Sequence, residues 1–419
     1  MDCKNWVSDK HILQNLVNLG NLCFEVTDAC NLACHYCVYR DLYLDHDERT
    51  GKYMSFEMGK TIMNYLASIW SSKLSGKPKD ITTVSFYGGE PLLNMTFITN
   101  MINYITSLNS KREFRYGMTT NAILLDRYAD YLADKNVQLT ISLDGDEMAS
   151  GHRVNHNENS SFEIVFRNIK NLKERHPAYF DKSVQFNSVL HNLNDVHSIR
   201  VFIFKEFGKY PSISAINPRG LDPKKENEFM NMYKEYSKSI YEAPDIDKLR
   251  RDLFYYDPLT RRLAQEIIKL SGNHYEGYLD FISNNKNTNR NYFPCPGTCI
   301  PFSRKLFITV NGKILQCERI GQENQLGTVT KTDVKLDYSY VAQFFNNKLN
   351  ELYGQCSKCA AIDFCNTCVY NTSISEFGNR YCKNFKEKFD YSELKKENRI
   401  YLSKHPELYN KIAETLILI

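Results

Sequence analysis

The sequence predicts an α/β fold with parallel strands, followed by a smaller cysteine-rich part. Six apolar segments typical of strands alternate with helical patterns, and alternating units of this kind form parallel sheets through right-handed crossovers. Eight of the 13 cysteines fall in the last third of the 419 residues. We expect the strands near residues 22–27, 81–87, 113–119, 137–142, 183–190 and 211–216.

The helix between the first two strands is the clearest of the connecting helices. Ser55 is a suitable N-cap, and the apolar residues after it recur at helical spacing on one face. That face comprises Met58, Ile62, Tyr65, Leu66 and Ile69. In the fourth strand, Val137, Leu139 and Ile141 alternate onto one face. Six such units are fewer than the eight that close a TIM barrel.

The pattern changes beyond the sixth strand. Residues 221–291 are predicted to form a helical linker, and the residues after 385 an amphipathic helical segment. Between them, Asn311-Gly312 separates the apolar run from Leu306 to Val310 from the run that ends at Cys317. An Asn-Gly pair in this position is a strong hairpin signal, so Cys317 is expected at the end of a hairpin strand.

Charge and composition exclude several classes of protein. The formal net charge of +4 is too small to predict nucleic-acid binding. No apolar run approaches membrane-spanning length, and the start of the chain lacks a signal-peptide pattern. An odd number of cysteines does not suit a disulfide framework. We therefore expect a cytoplasmic protein without nucleic-acid or membrane partners.

Three cysteines lie in the loop after the first strand, in the run Cys-Asn-Leu-Ala-Cys-His-Tyr-Cys. The spacing C-x3-C-x2-C places Cys30, Cys34 and Cys37 at the end of a strand, where α/β folds carry their chemistry. Three thiolates can hold three corners of a [4Fe–4S] cluster and leave one iron open to a small molecule. A zinc site is the alternative, but it usually needs C-x2-C pairs and a fourth ligand.

The C-terminal cysteines form a second group. Cys299, Gly312 and Cys317 have the spacing C-x12-G-x4-C. A C-x2-C-x5-C-x2-C pattern follows, formed by Cys356, Cys359, Cys365 and Cys368. Cys382 lies downstream of this group, and Cys295 lies upstream of Cys299. In isolation, the pattern from Cys356 to Cys368 is also typical of a zinc ribbon. Of the two remaining cysteines, Cys23 is most simply a small core residue.

Polar residues follow three further strands. Gly88-Gly89-Glu90-Pro91 comes directly after the second strand, and glycines permit close approach of the backbone to a ligand. Thr119 and Asn121 end the third strand. Ser142 and Asp144 end the fourth, and their spacing of two places both on one face.

These motifs resemble the radical S-adenosylmethionine (radical SAM) enzymes with a C-terminal SPASM domain, over residues 22 to about 385. The resemblance implies a partial (β/α)6 TIM-like barrel, open on one side, and a small SPASM/twitch domain that binds auxiliary iron–sulfur clusters. It divides the chain into the barrel at 1–220, the linker at 221–291, the SPASM domain at 292–385 and a helical segment at 386–419. One spacing departs from the usual pattern, because two residues rather than three separate Cys365 from Cys368.

The resemblance also implies the ligands of SAM and of three [4Fe–4S] clusters. Cys30, Cys34 and Cys37 would hold the SAM-binding cluster. The first auxiliary cluster would take Cys295, Cys299, Cys317 and Cys368, and the second would take Cys356, Cys359, Cys365 and Cys382. The residues implied to contact SAM are Tyr36, Gly88, Gly89, Glu90, Pro91, Thr119, Asn121, Ser142, Asp144 and Arg153. For Arg153, a solvated surface arginine is the alternative interpretation.

The implied reaction is reductive cleavage of SAM to a 5′-deoxyadenosyl radical, which removes hydrogen from an unactivated carbon. We expect a maturase that forms a thioether or carbon–carbon crosslink in a ribosomally made precursor peptide, in an oxygen-poor bacterial cytoplasm. The alternatives are an anaerobic sulfatase-maturing enzyme that makes formylglycine and, from another class, an iron–sulfur electron carrier. The expected partners are the precursor peptide and an electron donor such as flavodoxin or ferredoxin. The leader segment of the precursor peptide would be bound by a separate protein or by the barrel and linker.

Glu318 is the candidate general base. It follows Cys317, and sulfatase-maturing enzymes carry an Asp after the matching cysteine. Burial and an anionic cluster nearby are expected to favour the protonated form of Glu318 and so raise its pKa. The alternative is a structural ion pair with Arg319, Lys313 or another cation.

Overall fold

The computed structural model describes residues 4–72, 81–108, 110–244, 294–295, 297–362, 365, 367–375, 378–388 and 392–409. The chain divides into two compact units. The barrel unit comprises Leu13–Ile246 and Phe302–Asp337, and the second unit comprises Met1–Ile12, Asp247–Pro301 and Tyr338–Ile419. Most of the predicted linker, residues 245–291, lies outside the described residues.

Six parallel strands form the sheet of the barrel unit in chain order, which confirms the predicted parallel α/β architecture. They are β1 (Asn21–Thr27), β2 (Ile81–Gly88), β3 (Glu113–Thr120), β4 (Gln138–Ser142), β5 (Val184–Leu190) and β6 (Ser212–Ala215). Each strand pairs in parallel with the next. The six carboxyl ends therefore lie along one edge of the sheet, and the predicted site residues follow them.

Alternation along the strands separates an apolar face from a polar one. Leu22, Phe24 and Val26 of β1 are fully buried, and the Phe24 ring packs edge-on against Phe97, with 5.5 Å between the ring centroids. On the opposite face, the side-chain amide of Asn21 donates to the hydroxyl of Ser85 in β2 at 3.0 Å. The apolar face supplies the core, and the polar face remains available for binding.

Helices connect successive strands, and further helices precede β1 and follow β6 along the chain. The helices of this unit and its N-terminal approach are α1 (Asp9–Val17), α2 (Phe56–Ser72), α3 (Met95–Ser107), α4 (Leu125–Asp134), α5 (Phe162–Arg175), α6 (Pro177–Ser183), α7 (Val196–Phe207), α8 (Glu226–Met232) and α9 (Tyr236–Tyr241). The predicted first connecting helix is confirmed as α2. Its N-cap, Ser55, accepts a hydrogen bond of 3.3 Å from the backbone N–H of Met58, and Ile62, Leu66 and Ile69 are buried.

A hairpin extends the sheet beyond β1. β7 (Leu306–Ile308) pairs in parallel with β1, and β8 (Lys313–Leu315) returns antiparallel to β7 through the predicted Asn-Gly turn, where Gly312 has φ of +79°. β9 (Gly327–Val329) and β10 (Val334–Lys335) complete the extension. Residues 302–337, which the sequence division placed in the C-terminal domain, thus belong to the barrel unit. They cover an edge of β1 that an open sheet would otherwise expose.

The second unit contains α10 (Tyr338–Cys356) and the residues that pack on it. The side-chain carbonyl of Asn346 accepts hydrogen bonds from the backbone N–H groups of Trp6 and Val7, at 3.1 and 3.0 Å. A short hairpin of β11 (Ser373–Ile374) and β12 (Arg380–Tyr381) follows, and α11 (Ser392–Lys404) confirms the predicted helical end. Within the described part of the chain, no helix combines the length and apolar character needed to span a bilayer.

Candidate functional site

The three N-terminal cysteines share one short loop directly after β1. Cys37 donates its backbone N–H to the carbonyl of Cys34 at 3.1 Å, and Leu32 donates to the Cys30 sulfur at 3.4 Å. Burial raises the pKa of Cys30 to about 12 and that of Cys34 to about 11, and the neighbouring thiols add to the effect. Partly buried thiols become thiolates beside a strongly positive partner, so three of them on one short loop suit a cluster of iron ions.

The thiols of the loop do not converge on one point. Among the described residues, no three His, Cys, Asp or Glu side chains lie close enough together to bind a single metal ion. This holds for the loop and for the C-terminal cysteines. In a [4Fe–4S] cluster each thiolate binds its own iron, and the ligands therefore surround a larger group.

Backbone hydrogen bonds hold the cysteine loop between two neighbouring segments. On one side, Ala33 donates to the carbonyl of Val154 at 2.7 Å, and His35 donates to the carbonyl of His152 at 3.0 Å. On the other side, the segment after β2 donates from Gly89 to Thr27 and from Glu90 to Ala29, both at 2.9 Å. Backbone groups of the chain therefore hold the loop in position on both sides.

Gly88 and Gly89 are required by the packing of the chain itself. A Cβ atom at Gly88 would overlap the carbonyl oxygen of Thr27, and one at Gly89 would overlap that of Ala29. Gly88 also has φ of +135°, which strains any other residue. The sequence indicated a close approach of these glycines to a ligand. The structure shows a close approach to the cysteine loop, which accounts for both glycines.

Glu90 joins the ends of β2 and β3. One carboxylate oxygen accepts hydrogen bonds from the backbone of Leu92 at 3.1 Å and the hydroxyl of Thr120 at 2.7 Å; the other accepts from the backbone of Asn121 at 2.7 Å. Burial raises the pKa of this carboxyl, although these donors oppose the effect. Pro91 begins the short 3₁₀ helix Pro91–Asn94 that follows. Glu90 is therefore positioned to hold the neighbouring segments in place.

Asn121 connects the end of β3 to the cysteine loop. Its side-chain amide donates to Asn31 at 2.8 Å and lies 3.7 Å from the Cys30 sulfur. Thr120, which the sequence interpretation passed over, is the residue that contacts Glu90. Thr119 lies half-buried on the opposite face of β3. The register pairs Thr119 with Thr140, two residues before Ser142, so Thr119 and Ser142 share the polar face.

Tyr36, Asp144 and Arg153 form a buried polar group behind the loop. The Tyr36 hydroxyl donates to Oδ2 of Asp144 and accepts a 3.0 Å hydrogen bond from Nη1 of Arg153. Oδ1 of Asp144 accepts from the backbone N–H of Val189 at 2.8 Å. Burial alone would raise the pKa of Asp144, but the nearby His191 ring and the charge of Arg153 lower it. Asp144 therefore remains a carboxylate inside the protein.

Arg153 is buried, with 6% of its surface exposed, so it is not the solvated surface arginine of the alternative interpretation. Its charge acts on the Cys34 thiol and on Glu90, which places it beside the cysteine loop. Its Nε atom has no hydrogen-bond partner among the described residues. A buried N–H of a guanidinium normally has an acceptor, so this atom fits the carboxylate of a bound ligand.

His191 is a member of this group that the sequence interpretation missed. It is fully buried directly after β5, its ring stacks on Tyr36 with 5.6 Å between centroids, and its Nε2 atom lies 3.7 Å from Asp144. His152 packs edge-on against His191 at 4.7 Å and approaches His35 of the loop, with 3.1 Å between ring nitrogens. The sequence does hold one signal for His191: it is a polar residue directly after a strand, as the identified site residues at the other strand ends are.

Glu318 forms a partly buried ion pair, which is the alternative that the sequence analysis left open, and the main cation is Lys305. Oε2 lies 2.8 Å from Nζ of Lys305 and 3.6 Å from the Cys317 sulfur, while Oε1 lies 3.9 Å from Nε of Arg319. Burial favours the protonated carboxyl, but the charge of Lys305 outweighs it and lowers the pKa of Glu318. The expected rise in pKa is therefore wrong. The pKa of Glu318 is lowered because the hairpin of β7 and β8 brings Lys305 close to Cys317 and Glu318.

The C-terminal cysteines are distributed over both units. Cys317 belongs to the barrel unit, and the others belong to the second unit. Cys356 ends α10, and Cys382 donates its backbone N–H to the side chain of Gln355 at 2.8 Å. The sulfurs of Cys295 and Cys356 lie 3.7 Å apart. The resemblance had assigned these two thiols to different auxiliary clusters. Cys299 and Cys368 were assigned to the cluster of Cys295, and Cys359 and Cys365 to the cluster of Cys356.

Known proteins share this fold and these motifs. Residues 24–199 match the family model described as the radical SAM superfamily. A cysteine-type anaerobic sulfatase-maturating enzyme of Clostridium novyi is 25% identical over 227 residues, which are 51% of this chain and 58% of that protein. The radical SAM cyclopropyl synthase TigE of Paramaledivibacter caminithermalis is 24% identical over 368 residues, 84% of this chain and 68% of that one.

A solved structure of native anSMEcpe with bound AdoMet and Cp18Cys peptide has the same fold, with a TM-score of 0.58 at 20% identity. The match covers 94% of this chain and 99% of that chain. The alignment with the Clostridium novyi protein spans only a little over half of that relative's length. The family match, the thiol loop after β1 and the six-stranded parallel sheet agree: residues 24–199 form a radical SAM domain.

Proposed function

We propose that this protein is a radical SAM peptide maturase. It modifies a ribosomally made precursor peptide and forms a thioether or carbon–carbon crosslink. The observation that carries the proposal is the buried Arg153 beside the thiol loop of Cys30, Cys34 and Cys37, because its Nε finds no acceptor within the described part of the chain. The relatives named above, a sulfatase-maturating enzyme and a cyclopropyl synthase, support a peptide or protein substrate.

The loop thiols would hold a [4Fe–4S] cluster, and the neighbouring strand ends would hold SAM. When bound, these groups supply one electron and a 5′-deoxyadenosyl radical that takes hydrogen from an unactivated carbon. The guanidinium of Arg153 would offer its free N–H to the methionine carboxylate. The Tyr36 hydroxyl keeps that guanidinium in place by accepting a hydrogen bond from it, and Asp144 in turn holds the hydroxyl.

The remaining predicted SAM contacts divide into two kinds in this proposal. Thr119 and Ser142 lie half-buried on the polar face, where their hydroxyls are available to a ligand. Gly88, Gly89 and Glu90 act on the ligand through the backbone that they position, because their packing and hydrogen bonds are to the chain. Asn121 orients the loop at Asn31 and Cys30.

The polar face of the sheet suits a peptide. Small, uncharged and at least partly exposed side chains of this face are Thr83, Ser85, Thr140, Asn187 and Ser214, while the charged Glu113 and Arg115 lie toward the start of β3. Hydroxyl and amide groups can pair with the N–H and C=O groups of a peptide backbone. We place the substrate along this face, where the carbon to be attacked can be oriented and water excluded.

Eight C-terminal cysteines would hold two auxiliary [4Fe–4S] clusters, so the fully loaded protein would carry three. An electron donor such as flavodoxin or ferredoxin would reduce the protein, and a separate protein would bind the peptide leader. Thiolate-bound clusters are oxidised by air, which favours an oxygen-poor cytoplasm.

A formylglycine-generating sulfatase maturase is the second candidate, and Glu318 favours it. Lys305 lowers the pKa of this carboxyl and so keeps Glu318 in the ionised form that a general base requires, although the lower pKa also makes it a weaker base. Its place after Cys317 matches that of an Asp in the sulfatase-maturing enzymes it resembles.

The two candidates separate in one experiment. The protein is reconstituted with iron and sulfide under anaerobic conditions, reduced with dithionite and supplied with SAM. It is then incubated either with the peptide encoded beside its gene or with a sulfatase peptide that carries the Cys to be converted. We expect 5′-deoxyadenosine in both cases and a mass loss from a crosslink only in the neighbouring peptide. Formylglycine in the sulfatase peptide would favour the second candidate, and no 5′-deoxyadenosine would contradict both.

A further inference from the structure

Residues 152–158, between β4 and α5, lie along the thiol loop, and we call them the clasp segment. The backbone carbonyl of Val154 accepts the N–H of Ala33 at 2.7 Å, and that of His152 accepts the N–H of His35 at 3.0 Å. These partners are far apart in the sequence, so tertiary packing brings the two segments together. Ala33 and His35 flank the central thiol of the loop, so the clasp segment holds the backbone on both sides of that thiol.

Two side chains of the clasp segment add contacts to the same loop. Nε2 of His156 donates to the backbone carbonyl of Cys30 at 2.8 Å. Oε2 of Glu158 lies 2.8 Å from Nε2 of His35. Both contacts are hydrogen bonds whether the imidazole is neutral or protonated, since either form can carry a hydrogen on Nε2. Including the backbone bonds, the clasp segment thus holds the loop at its first cysteine and on both sides of its second.

A turn with its own hydrogen bonds presents these two side chains. The side-chain oxygen of Asn155 accepts the backbone N–H groups of Asn157 and Asn159, at 2.8 and 3.0 Å. The backbone N–H of Asn155 donates in return to the carbonyl of Asn159 at 2.9 Å. Glu158 has φ of +60°, a conformation that residues with a Cβ rarely adopt. Hydrogen bonds within the turn therefore set its shape, and the thiol loop is held against a turn that is already built.

These contacts matter through the order of the loop and not through the stability of the fold. His156 is exposed, and the side chain of Glu158 is 65% exposed, so each contact adds little to global stability. A cluster that binds a loosely held loop must spend part of its binding free energy on ordering that loop. A loop with three thiols gains no fourth thiolate to offset this cost. Its hold on a cluster therefore depends on neighbours that keep the thiols in place.

We propose that His156 and Glu158 are positioning residues that retain the [4Fe–4S] cluster in the thiol loop. They hold the loop at Cys30 and at His35, which encloses the first two thiols. The inference rests on the part of the proposed function that assigns a cluster to this loop, and it is independent of the peptide substrate.

Iron release tests this role. The double variant His156→Ala/Glu158→Ala removes both side-chain contacts and leaves every cysteine in place. Each protein is reconstituted with iron and sulfide under anaerobic conditions, and the release of iron to a chelator is followed with time. The phase that belongs to the thiol loop is the one missing from Cys30→Ala/Cys34→Ala/Cys37→Ala. We expect this phase to be about 10-fold faster in the double variant, because each contact is worth roughly a factor of 3.

Two matched variants separate these contacts from a general effect of substitution. His156→Gln/Glu158→Gln keeps an N–H donor and an oxygen acceptor, so release should return to within about twofold of the unaltered protein. Asn157→Ala changes an exposed side chain of the same turn that makes no hydrogen bond within the described residues, and it should not change the rate. Equal release from Asn157→Ala and the double Ala variant would overturn the positioning role, as would failure of the Gln variant to restore retention.

Amide hydrogen exchange gives a second measurement, which holds even if the double Ala variant takes up no iron. Peptides that cover residues 30–37 should exchange about 10-fold faster in His156→Ala/Glu158→Ala than in Asn157→Ala, since the same two contacts are lost. Equal exchange would contradict the proposal. If the unaltered protein holds no iron in the thiol loop, the proposed cluster and its retention fail together, whereas equal release from a loaded loop contradicts the retention alone.

Discussion

The hydroxyl of Tyr36 lies 3.0 Å from Nη1 of Arg153 and donates its own hydrogen to Asp144. Tyr36 belongs to the cysteine loop, between Cys34 and Cys37, whereas the two charged groups follow β4. The position of Arg153 therefore depends on a residue of the loop. Removal of one member would leave a buried charge without its partner, which is costly in a low-dielectric interior.

Replacing Cys30, Cys34 and Cys37 together with Ala should abolish SAM cleavage and remove about four irons per chain. The C-terminal cysteines are untouched, so their iron should remain. The measurements are 5′-deoxyadenosine after dithionite reduction and iron per chain. Cys23→Ala is the control and should retain both. Continued SAM cleavage by the triple variant would show that another site performs the reaction.

Arg153→Gln should weaken SAM binding about 10- to 100-fold, because a hydrogen bond to a charged group contributes roughly 1.5–3 kcal/mol. Iron content should stay unchanged, since the thiols are intact. Equilibrium dialysis with the reconstituted protein gives the dissociation constant. Arg175→Gln is the matched control, because Arg175 is an exposed arginine paired with Asp126 and Asp130. Equal affinity in the two variants would remove Arg153 from the SAM site.

Asp144→Asn should lower the free energy of unfolding by about 3 kcal/mol at neutral pH, the scale for breaking a buried ion pair. The pKa of Asp144 is lowered in the folded protein, where Tyr36, Arg153 and His191 surround it. Its contribution is thus present above the unfolded pKa of about 4 and is lost as pH falls through the folded pKa.

Urea unfolding between pH 7 and pH 3 checks both parts of this prediction. The difference between the unaltered protein and Asp144→Asn should shrink toward low pH. The exposed Asp126 supplies the control, and Asp126→Asn should leave stability within about 0.5 kcal/mol. A constant difference across the pH range would mean that folding does not shift the pKa of Asp144.

Glu318→Gln should leave SAM cleavage intact and reduce modified peptide about 100-fold or more, the usual scale for a lost general base. The variant keeps the shape of the side chain and removes the proton acceptor. Mass spectrometry of the peptide and 5′-deoxyadenosine yield are measured together. Glu323→Gln, an exposed residue of the same segment, is the control. Normal product with normal iron content would leave Glu318 as the structural partner of Lys305.

The strands and the cysteine loop follow from local patterns, and this part of the fold was predictable. Apolar alternation and helical spacing act within a few residues, so β1 to β6 and α2 appear close to their expected positions. The pairing of β7 with β1 is different, because it joins residues nearly 300 positions apart. Nothing in either segment alone indicates that partner, and the sequence division therefore separated the hairpin from the strand with which it pairs.

The charges of the site were harder to predict than its motifs. Cys317 and Glu318 were identified from spacing, but the cation beside Glu318 depends on the register of β7 and β8. The direction of the pKa shift followed from that cation. His191 and Thr120 were likewise missed, since each gains its role from side chains on other strands. A single polar residue at a strand end carries too weak a signal for such a contact.

The two glycines Gly88 and Gly89, at the end of β2, also set a limit for engineering. Because neither position can accept a side chain without displacing Thr27 or Ala29, the close packing of this segment on the thiol loop depends on both glycines. Substitutions that broaden the range of accepted peptides should therefore leave this region unchanged. The small hydroxyl and amide residues on the polar face of β2, β4 and β5 can be varied instead, since they do not support the loop.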